Sequence, residues 1–122
     1  MAWRFERYTG QLFSPSGNLF GIGYSGRDSG MNTPQYENVH DVGPIPKGVW
    51  DIGEFFDDPG GKGPCVAHLT PEPGFETFGR DGFMIHGDNS ERNHTASEGC
   101  IILGPQQRLA ISCSADKKLV VV

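Results

Sequence analysis

A small, mostly β domain is the fold class this sequence predicts, and three observations predict it. The chain carries 18 glycines and 9 prolines among 122 residues, too many punctuating positions for long helices. Hydrophobic residues make up 36% of the chain, enough for one core of ordinary domain size. Apolar side chains recur at alternate positions in short runs, the period of a half-buried strand. The whole chain, 1–122, is therefore expected to form a single domain.

The elements follow in order. Trp3 to Tyr8 alternates, Thr9-Gly10 turns, Gln11 to Phe13 resumes, and Pro15 to Asn18 turns again before Leu19 to Tyr24. Residues Ser25 to Val42 are rich in Gly, Asn, Asp and Ser and read as a long ordered loop or a single helical turn. Gly43 to Gly48 leads into a strand from Val49 to Phe56, and Asp57 to Pro64 is a second loop. Cys65 to Thr70 is strand-like and is broken at Pro71 to Gly74. Phe83 to His86 reads as a short buried strand ending at His86, and Asp88 to Glu98 as a polar surface loop. Cys100 to Leu103 is apolar, Pro105 suits a first helical position, and Lys118 to Val122 closes the chain as a strand.

Charge excludes some partners. Ten basic residues against fifteen acidic ones leave a formal charge of −5, which offers no basic field to nucleic acid or anionic lipid. No apolar run reaches membrane-spanning length, so no membrane insertion is expected. Met1 to Phe20, interrupted by Arg4, Glu6, Arg7, Thr9 and Gln11, shows no secretory signal core. Synthesis in the cytoplasm is expected, with export by another route if the chain leaves.

Several motif spellings carry little. Gly21 to Gly26 matches the G-x-G-x-x-G spacing, but no helical period follows it to present amides to a pyrophosphate. Gly60-Gly61-Lys62-Gly63 lacks the rest of a phosphate-binding loop. His40, His68, His86 and His94 are far apart in sequence and no two cysteines are close, so a zinc site needs long-range assembly. No metal and no cofactor is expected. Three cysteines cannot all pair within one chain. Cys65 and Cys113, in apolar surroundings, read as buried thiols, with a disulfide between them as the alternative in an oxidising periplasm.

The stretch from Phe83 to Leu103 differs in kind. An apolar strand delivers His86, and Ser97-Glu98-Gly99-Cys100 leads into a second apolar segment, placing Cys100 fourteen positions after His86. Adjacent strand ends could bring the imidazole to the thiol and activate it as a nucleophile. Gly99 would let substrate approach the backbone, and amides there could hold an oxyanion. On residue types alone, a small buried thiol and a satisfied core histidine remain equally open.

These residues resemble a family. Ile85-His86-Gly87 followed by Ser97-x-Gly99-Cys100-Ile101 resembles the signature of the L,D-transpeptidase (YkuD-like) catalytic domain, and Ile45-Pro46-Lys47-Gly48-Val49-Trp50 is similar to that family's Thr-Pro-x-Gly-x-Phe segment. Two positions depart from it: Glu98 stands where the motif has histidine, and Ile102 where it has a polar residue. The short chain, Gly23 to Gly26 and the Glu98 variant are more similar to the small L,D-transpeptidase effectors of type VI secretion systems.

The resemblance implies a mostly β fold, a small L,D-transpeptidase-like β-sandwich or open barrel of mostly antiparallel strands with one or two short helices. It also implies a cysteine-dependent enzyme acting on the tetrapeptide stem of peptidoglycan, as L,D-carboxypeptidase or L,D-transpeptidase with D-amino-acid exchange. The catalytic positions it implies are Cys100, His86, Gly87, whose carbonyl would orient the imidazole, and Gly99. Ser97, Glu98, Tyr24, Tyr36 and Arg92 are candidate substrate-binding residues. An effector would also need a secretion-system carrier and a periplasmic immunity protein, and would act in the periplasm of a target bacterium. A papain-like endopeptidase, a zinc amidase of the cell wall and a non-catalytic cell-wall-binding module are the competing readings. A papain-like enzyme normally places its cysteine before its histidine, the opposite of the order here.

Overall fold

In the computed structural model, which describes residues 1–59, 61–88 and 97–122, alternation sets the first strand: β1 (Trp3–Glu6) buries Trp3 and Phe5 and leaves Arg4 outside. It pairs antiparallel with β2 (Gln11–Phe13), which pairs in turn with β3 (Leu19–Ile22). After Gly23 comes β4 (Tyr24–Ser25). Residues 25–42 then form two single 3-10 turns, Asp28–Gly30 and Pro34–Tyr36, within the expected long loop. Next come β5 (Gly48–Ile52), β6 (Phe56–Asp58), β7 (Gly63–Pro71), β8 (Met84–His86) and β9 (Ile101–Ile102). The chain ends with α1 (Pro105–Cys113), which has Pro105 in its first turn as the sequence predicts, and β10 (Lys118–Val121).

The strands form one sheet in the order β3-β2-β1-β10-β5-β7-β8-β9-β4, with β6 paired to β7. Its two ends, β3 and β4, are separated in sequence by Gly23 alone, so one run of chain joins the edges and the sheet is nearly closed into a barrel. Closure needs glycine there. A Cβ on Gly23 would drive into the Ile102 carbonyl, and the Gly23 amide donates to Gly10 O at 2.7 Å. The G-x-G-x-x-G spelling is thus a strand crossing and opens no helix.

Several boundaries differ from the sequence reading. The expected strand from Val49 to Phe56 is two: β5 ends at Ile52, where the Gly53 amide turns to His68 O at 2.9 Å, and Phe56 starts a separate strand. That strand and Gly63 convert most of the expected 57–64 loop into a hairpin on β7. Two pairings are parallel, β1 with β10 and β8 with β9, within an otherwise antiparallel sheet.

The inner face and α1 enclose a core that includes Phe5, Trp50, Ile85, Ile101, Ile111 and Leu119, each at most 1% exposed. Burying one such side chain contributes about 1.5–3 kcal/mol. Trp50 packs edge-on to Phe83 at 5.0 Å between ring centroids. A smaller cluster of Tyr24, Val66, Met84, Cys100 and Ile102 lies on the other face of β8 and β9. No helix among the described residues is long and apolar enough to cross a membrane.

Candidate active site

The parallel register of β8 and β9 converts a fourteen-residue separation into proximity. Ile85 is opposite Ile101 and His86 opposite Ile102. Since successive side chains alternate across a strand, Ile85 and Ile101 enter the main core while Met84, His86, Cys100 and Ile102 share the opposite face. Cys100 sits one residue before β9, not within a strand as the sequence suggested, with its sulfur on the Met84 amide.

His86 is 2% exposed. Its Nδ1 lies 2.7 Å from Gly87 O, and because a carbonyl only accepts, Nδ1 must carry the proton. Nε2 is then left as a lone-pair acceptor, and it is buried with no hydrogen-bond partner among the described residues. Burial pushes the His86 pKa down, with Lys62 and Arg108 acting in the same sense, while the Gly87 bond and Asp88 oppose. Burial likewise pushes the Cys100 thiol up, aided by Glu98 and opposed by the Met84 amide, Lys62 and Arg80. Burial thus disfavours the charged form of each group. The Cys100 thiol donates to Gly82 O at 3.7 Å.

The turn before Cys100 is held by side chains from other elements. Ser97 is fully buried; its hydroxyl donates to Cys100 O at 2.5 Å and accepts from the amides of Gly26 at 2.9 Å and Gly99 at 3.1 Å, which exhausts its capacity. Ser25 Oγ donates to Gly99 O at 3.0 Å and accepts the Ile45 amide at 2.9 Å. Gly99 has φ +132°, a conformation that suits glycine. Its amide, expected to face an oxyanion, is taken by Ser97, which leaves the Cys100 amide as the candidate donor.

The other expected contacts are dispersed. Ser97 is sealed inside the turn, so the structure gives it a positioning geometry and no face toward a ligand. Glu98 is exposed beside Cys100, with its carbonyl accepting Arg80 Nη2 at 3.2 Å. Tyr24 is buried, and its hydroxyl donates to Asp88 Oδ1 at 2.8 Å, two residues beyond His86. Tyr36 is in the second 3-10 turn, where its carbonyl packs on Gly43. Arg92 lies outside the described residues.

Sequence reasoning missed Arg80 and Lys62, which act electrostatically on Cys100 or His86 from separate segments, and Asp88, which acts on His86 from two residues away. No local signal marks Arg80 and Lys62, because their proximity depends on the tertiary fold. All three cysteines are free. Cys65 is half-buried and Cys113 exposed, which corrects the expectation of two buried thiols and gives no Cys65–Cys113 disulfide. Among the described residues no group of three or more His, Cys, Asp or Glu is placed to hold a metal ion. His40 bonds Phe78 O at 3.0 Å and His68 stacks on Phe56, both in other parts of the fold; His94 is outside the described residues.

Comparison with known proteins adds one match. The family model described as the Tlde1 domain matches residues 21–122, a span that starts in β3 and includes both His86 and Cys100. No curated protein matches the chain.

Proposed function

The chain belongs to the Tlde1 domain family, type VI secretion effectors associated with L,D-transpeptidase-like activity, and from that premise we propose that it is a cysteine-dependent peptidoglycan-modifying enzyme acting on tetrapeptide stems. The observation that carries the reading is His86: buried, proton fixed on Nδ1 by Gly87 O, and Nε2 unpartnered among the described residues on the face it shares with Cys100. A buried acceptor without a protein partner costs stability, and its retention here supports a role in chemistry.

On this reading the stem's diaminopimelate carbonyl, preceding the terminal D-Ala, is seated over Cys100. Nε2 takes the thiol proton as Sγ attacks, and the Cys100 amide stabilises the developing oxyanion. The C–N bond breaks, the proton passes from Nε2 to the departing D-Ala amine, and a thioester remains. Water then releases a tripeptide, a free D-amino acid gives exchange, and the amine of a second stem gives a 3-3 cross-link. Each regenerates the thiol. Burial disfavours a separated thiolate and imidazolium, which supports proton transfer that accompanies attack. The same proposal includes delivery by a secretion-system carrier to the periplasm of a target bacterium and neutralisation by a periplasmic immunity protein.

Mass spectrometry of muropeptides after incubation of purified sacculi with the protein tests the reaction. Tetrapeptides should be converted by the native chain and left intact by Cys100→Ala and by His86→Ala, each with an unchanged circular dichroism spectrum. Stem trimming by Cys100→Ala would refute the covalent mechanism.

A further inference from the structure

Arg80 is 7% exposed, yet forms no salt bridge with any described residue. Its guanidinium donates to four carbonyls: Glu37 O at 2.5 Å and Pro44 O at 2.8 Å from Nη1, and Gly43 O at 2.8 Å and Glu98 O at 3.2 Å from Nη2. It also stacks over the Phe83 ring at 5.2 Å. Three of the acceptors belong to residues 37–44 and the fourth to the turn that presents Cys100. Gly99 lies directly on the guanidinium, since a Cβ there would come within 2.5 Å of Nη2.

We infer that Arg80 is a positioning residue for Cys100, tying the nucleophile's turn to the 37–44 loop and fixing a desolvated positive charge behind it. The inference rests on Cys100 being the nucleophile of the proposed reaction. A guanidinium has five donors in a fixed plane, enough for all four carbonyls, whereas an ammonium has three. Arginine also keeps its proton when buried, so the charge is permanent. A merely structural staple would need the four hydrogen bonds but not the charge. The charge matters because burial opposes ionisation of Cys100, and Arg80 is one of the groups that oppose that burial effect. The groups acting on or packed with the thiol are the Met84 amide on β8, Glu98 on its own turn, Lys62 from the β6–β7 hairpin, Arg80 before β8, and Tyr24 on β4, whose hydroxyl is engaged by Asp88; His86 shares the same face of β8.

The test is the pH profile of Cys100 alkylation by iodoacetamide, read by peptide mass with Cys65 and Cys113 as internal references, in the full chain and in Arg80→Met and Arg80→Lys. Folding is checked by thermal unfolding, and muropeptide conversion is measured in parallel. Arg80→Met should raise the Cys100 midpoint and slow alkylation at a fixed pH, with the two reference thiols unchanged. Arg80→Lys should bring the midpoint back toward the native value while leaving conversion about tenfold down, because three donors on a compact ammonium cannot serve the four carbonyls in the geometry of the fork. A native Cys100 profile in folded Arg80→Met would overturn the inference. If Arg80→Met does not fold, Arg80→Lys decides: a native midpoint with reduced conversion supports the inference, and native conversion overturns it. Alkylation needs no substrate, so absence of muropeptide conversion by the native protein would refute the proposed reaction and leave the alkylation result interpretable.

Discussion

Replacing Ser97 with alanine separates the support of the proposed nucleophile, Cys100, from the thiol itself. The hydroxyl serves three buried backbone groups at once, the carbonyl of Cys100 and the amides of Gly26 and Gly99. Alanine satisfies none of them, and no water-sized space is created by removing one oxygen. At about 1 kcal/mol for each partner left without its bond, Ser97→Ala should cost about 3 kcal/mol of stability. That is a large part of the 5–15 kcal/mol typical of a domain, roughly, and corresponds to about a 10 °C fall in Tm at this chain length. Urea unfolding followed by fluorescence gives the free energy directly, with the slope against urea checking that the compactness of the end states is unchanged. The same variant should lower kcat for stem conversion more than it raises KM, because the displaced group is Cys100 and not a substrate contact. A stability loss under about 0.5 kcal/mol, or a loss confined to KM, would refute the positioning role.

Gly99→Ala should be more damaging to activity than to stability: a φ of +132° costs an L-residue about 1–3 kcal/mol, and the new methyl pushes Arg80 off Glu98 O. Loss of muropeptide conversion in a chain that still melts cooperatively would bear this out, and native conversion would contradict it. In kcat/KM against pH, the acid limb should fall below the ordinary histidine value of 6.5 and the alkaline limb above the ordinary thiol value of 9.0, because burial moves the two groups apart. Stability carries the same His86 signature. Its folded-state pKa is depressed, so below about pH 6.5 the unfolded chain binds the proton first and stability falls as pH falls; His86→Gln should flatten that slope in urea titrations. Glu98→His should raise the ratio of 3-3 dimers to tripeptides, since an exposed carboxylate beside Cys100 repels an anionic second stem more than it repels water; an unchanged ratio would assign Glu98 no part in acceptor choice.

What the sequence could and could not reveal divides along the range of the physics involved. Alternation is local, so nearly every strand was legible, as was α1 from Pro105; the ends were misjudged where a single residue, such as Gly53, diverts the backbone to a distant carbonyl. Cys113 was misread for a local reason that could have been applied. It stands two positions after the fully buried Ile111, and two helical steps turn a side chain to the opposite face, where it is exposed. The parallel pairing of β8 with β9 leaves no mark on either strand, since both read simply as short apolar runs.

That pairing explains why the centre of the site was legible and its surroundings were not. His86 and Cys100 flank one connection and their spacing is written in the chain, whereas Arg80, Ser25 and Lys62 reach the same place from three other segments. A serine or arginine in a polar stretch carries no sign that its partners will be backbone carbonyls folded over it. Yet these bonds hold the turn before Cys100: Ser25 and Ser97 bind the Gly99 carbonyl and amide, Arg80 binds the Glu98 carbonyl, and Gly99 between them takes a φ of +132°. The residues proposed to react are therefore the readable part of this site, and the residues that hold them become visible only once the sheet has closed.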